Sequence, residues 1–232
     1  MFADVTSANV VGYNTVDLGL AYTMIGPNFG NVGKTGLGRV YLEDIKGNFV
    51  DNDQIQISKM VNGKIDFTVY TYFTEDGYME VDKDGWYLDS DTYVGDTIYL
   101  DQGHAAWLRS ASSSTQSGEV NGTEITLNNL TKTYEMMVDP YPVAFNPNSS
   151  DITWNGVVDN DQIQVSKMVN GKIDFTVYTY FTEDGYMEVD KDGWYIDSDT
   201  PVESPIAAAG QGWWLRTANP ASVSITFKSP IK

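Results

Sequence analysis

The chain has 232 residues with 32 Asp+Glu against 14 Lys+Arg, a formal net charge of −18, and so lacks the basic patch that nucleic acid or an anionic membrane surface would need. It contains no cysteine, which excludes disulfides, thiolate zinc sites and thiol nucleophiles. No apolar run approaches the ~20 residues of a bilayer span, and 13% aromatics with many Thr, Val and Asn point to an all-β protein.

Residues 1–11 carry Val5, Val10 and Val11 among small polar residues and have no counterpart in the second half. This stretch reads as an arm able to add as a strand to a neighbouring subunit. The opening Met1-Phe2-Ala3-Asp4 is not a secretory leader and reads as a terminus left after processing. Alternating patterns predict strands at Tyr13–Leu18 and Tyr22–Gly26, and a Gly/Asn/Pro-rich loop follows over 26–38.

Residues 51–92 then recur as residues 159–200 with two differences, Ile57/Val165 and Leu88/Ile196, at an offset of 108 (159 − 51). Within this block Asp53–Val61 and Ile65–Phe73 form a hairpin around Asn62-Gly63. A bulged three-residue loop, which sets Ile57 opposite Val69, gathers the aliphatic residues on one face and is the expected register. Tyr78–Val81 and Trp86–Asp89 complete a four-stranded meander, with Val81 opposite Trp86. Thr97–Leu100 and Ala106–Arg109 finish the module. Residues 111–118, ASSSTQSG, read as a linker. The second half repeats the plan and ends on an alternating strand at Val223–Phe227. The expected architecture is two tandem modules, 1–117 and 118–232, each an antiparallel β-sandwich or partly closed barrel.

The order GYNTVDL, YTMIGPNF, DNDQIQ, a Tyr-rich strand and a Gly followed by Trp-Leu-Arg resembles secreted bacterial surface proteins built of tandem β-modules. Such modules close on Gly-x-Gly-(Phe/Trp)-Trp-(Leu/Val). Here that segment is Gly210-Gln211-Gly212-Trp213-Trp214-Leu215, and its first-module form, Gly103-His104-Ala105-Ala106-Trp107-Leu108, lacks the second Gly and the first Trp. The resemblance implies a β fold and an extracellular or cell-surface location, and says nothing about catalysis.

Two constellations stand out. Glu80, Asp82, Asp84 and Asp91, with Gly85, fall near the spacing of a calcium loop, and Glu188, Asp190, Asp192 and Asp199 repeat it. Calcium is the one cofactor the sequence suggests, although the strand-like flanks suit a plain acidic hairpin turn better. Tyr70 and Tyr72, repeated as Tyr178 and Tyr180, offer either an interface for a partner or glycan, or packing inside the module. His104 is the single histidine and its counterpart is Gln211, so a Ser-His-Asp site would exist in one copy only. Nothing singles out an acid pair for glycoside hydrolysis. The expectation is therefore a self-assembling structural protein of an extracellular layer, fibre, tube or shell, not an enzyme. The alternative is a monomeric, calcium-assisted binder of carbohydrate or a host surface.

Overall fold

The structure, a computed structural model, describes residues 11–17, 22–29, 39–77, 81–110, 113–128, 130, 133–170, 172–185 and 189–231. The first half contains β1 (Val11–Asp17), β2 (Thr23–Ile25), β3 (Arg39–Tyr41), β4 (Lys46–Gly47), β5 (Gln54–Val61), β6 (Lys64–Phe73), β7 (Gly85–Leu88), β8 (Thr92–Tyr93), β9 (Tyr99–Asp101), β10 (Ala106–Arg109) and β11 (Ser113–Glu119). The second half contains β12 (Ile125–Leu127), β13 (Tyr134–Met137), β14 (Ile152–Asn155), β15 (Gln162–Val169), β16 (Lys172–Phe181), β17 (Gly193–Ile196), β18 (Thr200–Pro201), β19 (Trp213–Arg216) and β20 (Ser224–Phe227).

The fold is all-β and its sheets are open. A six-stranded antiparallel sheet ordered β2-β10-β5-β6-β7-β8 has its counterpart in β13-β19-β15-β16-β17-β18. A three-stranded sheet β1-β11-β4 has its counterpart in β12-β20-β14, and β3 pairs with β9 alone. Each module is a sandwich whose core lies on one face of its large sheet. Alternation along the closing strand divides the two faces. Ala106 and Leu108 enter the first core with Ile55, Tyr70 and Trp86, and Trp213 and Leu215 enter the second with Ile163, Phe145 and Trp194. Where the first module has Ala106, the second has Trp213 stacked on Phe145 at 4.4 Å and 11°. The altered closing motif thus accompanies a different filling of the core.

Three sequence expectations are corrected. The hairpin is not bulged: Val61 faces Lys64, Ile57 faces Thr68, and Asn62 and Gly63 take φ of 50° and 74°. Both positive values identify a two-residue turn of the primed type, whose twist matches the strands. Turn geometry prevails over aliphatic matching because β5 and β6 carry packed apolar residues on both faces, Ile55 and Tyr70 on one and Ile65 and Phe67 on the other. Trp86 lies opposite Tyr72 and not Val81, and the meander's fourth strand is β8; Tyr78–Glu80 fall outside the described residues. The Ser-rich segment is a strand, not a linker. β11 pairs with β1 over seven residues, from Val11 opposite Glu119 to Asp17 opposite Ser113, and plays the part that β20 plays in the second module.

Candidate functional site: the module junction and the hairpin arms

The acidic turns, the tyrosines and the arm were the residues expected to carry function. Glu80 and Glu188 lie outside the described residues. Asp84 accepts the Glu75 N–H at 2.7 Å and Asp192 the Glu183 N–H at 2.8 Å, so each bridges two neighbouring turns. Asp91 and Asp199 each accept a hydroxyl from the next threonine at 3.3 Å. Asp82 and Asp91 line one small hollow with Lys83, whose ammonium sits 3.4 Å from the Tyr93 ring centre. Asp190 keeps the equivalent place in the second turn. Among the described residues no three Asp, Glu or His side chains converge in a manner that would hold a metal ion.

Tyr70 is buried in the first core, and Tyr72 meets Trp86 edge-on at 5.2 Å. Tyr178 and Tyr180 pack on the second core, with Tyr180 5.3 Å from Trp194. Burial raises the phenol pKa of all four. The four rings are therefore packed within their modules. Val5 and Val10 lie outside the described residues, and Val11 opens β1.

The concentration of specific contacts lies elsewhere, between the modules. In register, Trp107 faces Met24 and Trp214 faces Met136, which matches β2 to β13 and β10 to β19 residue for residue. The Ala105 N–H donates to Met136 O at 2.9 Å, and the Gly212 N–H donates to Met24 O at 2.7 Å. Since Ala105 matches Gly212 and Met24 matches Met136, exchanging the modules maps one bond onto the other. The bridges His104–Met137 and Ile25–Gln211 exchange in the same way. The two modules are thus related by a pseudo-two-fold axis, the isologous arrangement of a dimer held within one chain.

Apolar residues on the outer faces of the large sheets close this junction. Met24, Ala105, Trp107, Met136, Val138 and Trp214 form a buried cluster, flanked by Phe67 and Phe175 from the hairpins. Tyr22 meets Trp107 at 6.4 Å and Tyr134 meets Trp214 at 6.3 Å, both edge-on, and Phe67 reaches the other module's Trp214 at 6.5 Å. Edge-to-face rings add to their area burial. The junction also covers the outer edges of β2 and β13, which would otherwise offer pairing groups to another chain.

Two concavities flank the axis. A groove of about 550 Å³ is lined by Thr15, Tyr22, Thr23, Ser166, Lys167 and Gln211. Its counterpart, about 160 Å³, holds Ser58, Tyr99, Asp101, His104 and Glu135. Here His104 Nε2 lies 3.8 Å from the buried Glu135 of the other module, where the larger groove has Gln211 and Thr23. The junction was not anticipated from sequence; the repeated Gly/Trp closing segment was the available signal.

The hairpin arms project the second feature. Met60, Val61 and Val69 are exposed on the first arm, and Val169, Ile173 and Val177 on the second, with Val69 at 38% and Val177 at 39%. By register Met60 and Val69 share one face of the first arm, and Ile173 and Val177 the matching face of the second, while the cross-strand pairs Lys59–Asp66 (3.6 Å) and Lys167–Asp174 (3.8 Å) lie on the other face with Val61 and Val169. No protein family, no curated protein and no solved structure matches this chain.

Proposed function

We propose that the protein is a structural subunit of an extracellular assembly, such as a surface layer, fibre, tube or shell. The observation that carries this reading is the pair of equivalent arms, which expose Val69 and Val177 on one face and Val61 and Val169 on the other. A molecule with pseudo-two-fold symmetry presents such patches twice. If each patch pairs with its like on a neighbour, contacts continue from copy to copy and do not close. Exposed apolar side chains flanked by charged pairs fit a protein partner, and the partner of matching shape is a second copy. The repeated modules support the same reading.

Negative-stain electron microscopy of the purified chain at high concentration tests it. Regular fibres, tubes or sheets are expected, and the double substitution Val69→Lys with Val177→Lys should abolish them while leaving the circular dichroism spectrum unchanged. Dispersed particles of one chain's mass under all conditions would refute the proposal.

A further inference from the structure

The residues on the pseudo-two-fold axis differ in size where symmetry would make them equal. Ala105 and Gly212 occupy matched positions and meet each other: an ideal Cβ on Gly212 would stand 2.6 Å from Met24 Cγ, 2.8 Å from the Ala105 Cβ and 3.0 Å from Met137 O. The first two approaches are shorter than real Cβ contacts allow. Position 105 carries a methyl and position 212 has no room for one. Gly26 and Val138 are matched by the same register and also meet: a Cβ on Gly26 would overlap the His104 carbonyl oxygen and lie 2.6 Å from Val138 Cγ1 and 3.1 Å from its Cβ. At each axial pair a smaller residue of one module receives a larger one of the other.

Identical pairing fails by the same geometry. Two copies of the first module would set Ala105 against Ala105 and leave Gly26 facing Gly26 across an unfilled gap. Two copies of the second would set Val138 against Val138 where the structure has room for one. Close-packed contacts tolerate neither overlap nor voids, and a clash built against the wrong partner is a means of specificity.

We infer that the junction is a complementary pair of faces through which the first module accepts only a second module, from its own chain or from a second copy of this chain. The intermolecular form uses the contacts already made within one chain, as in module exchange. Only residues 120–124, between β11 and β12, must reorganise. Val120 packs against both cores and is the point about which the modules would part. As a route to assembly this rests on the structural role proposed above; the pairing rule itself does not.

Two single variants test the rule in the full chain. Gly212→Ala places methyl against methyl, and Ala105→Gly leaves two glycines face to face, so each chain is mismatched within itself. Across a mixture one junction is matched, the one that sets the native Ala105 of the first variant against the native Gly212 of the second. The other joins the two substituted positions and stays mismatched, because Met24 Cγ still blocks a methyl at position 212. Either homodimer is mismatched at both junctions. The two variants, one of them isotope-labelled, are unfolded together in denaturant, refolded at equal concentration and analysed by native mass spectrometry. A 1:1 heterodimer well above the level of either homodimer is expected. A mixture that refolds to monomers alone, or homodimers as abundant as heterodimers, would overturn the inference. Microscopy of the native chain fails independently if the assembly reading is wrong, since pairing in the mixture is read without it.

Discussion

The Ala105 amide donates to the Met136 carbonyl at 2.9 Å, and the same bond recurs with the modules exchanged, Gly212 to Met24 at 2.7 Å. A tandem repeat has here become a closed pair, not a string of beads. The contact consumes the outer edges of β2 and β13 and buries both tryptophans, Trp107 and Trp214. Any contact between copies in the closed form must then use other surfaces, and the exposed arms are the ones duplicated.

Trp214→Ala removes one of the two tryptophans of the shared cluster. Truncating a buried tryptophan costs about 3–5 kcal/mol. Because the cluster belongs to both modules, the wild-type chain should unfold in one transition by both fluorescence and circular dichroism, and the variant should separate the two curves. Coincident curves for the variant would place the coupling outside this cluster.

Asp51 Oδ1 accepts both the N–H of Thr74 at 2.6 Å and its hydroxyl at 3.0 Å, and Asp159 repeats this with Thr182. Asp51→Ala and Asp159→Ala are each expected to cost about 1–3 kcal/mol, the usual range for charge-assisted bonds, and to cost nearly the same as one another. Chemical denaturation of both single variants checks the equality.

Asp139 is buried, and burial raises its carboxyl to about 7, opposed in part by the Tyr141 N–H that donates to it at 2.9 Å. A carboxyl whose folded pKa lies above its unfolded value binds more protons when folded. Stability should therefore fall as pH rises from about 4 to about 7 and level off above that. Asp139→Asn should remove this slope and raise stability at pH 8 by a few kcal/mol. Urea midpoints measured from pH 4 to 8 decide it; parallel profiles for the two chains would contradict it.

Gly63 has φ of 74° and open space around an ideal Cβ, so Gly63→Ala meets backbone strain alone. The left-handed conformation costs a non-glycine residue about 1–2 kcal/mol. That loss, with no change of register in the cross-strand contacts observed by NMR, is the expected result.

The repeated block, the all-β class and the Asn62-Gly63 hairpin were legible because each rests on local pattern. The hairpin register was not, since the aliphatic residues of β5 and β6 serve two different neighbours. Ile55 and Tyr70 turn to the module's core, while Ile65 and Phe67 turn to the other module. A rule that groups all apolar side chains on one face must fail when both faces are covered. β11 was hidden because SSTQSGE has a loop's composition, and its partner β1 lies at the opposite end of the module in sequence. For the tyrosines the sequence left an outward interface and packing inside the module both open, because a ring between polar neighbours fits either face; Tyr70 sits opposite Ile55 on the core face. The junction was written in the sequence only as an irregularity, Ala105 where the matching position has Gly212.

Amide hydrogen exchange at Ala105 and Gly212 tests the closed pair most directly. Both precede the closing strands, in segments that would face solvent in separated modules. The account predicts that both amides exchange as slowly as those inside β10 and β19, because each is bonded to the opposite module. Exchange of either amide at the rate of an open loop would contradict the pseudo-two-fold junction.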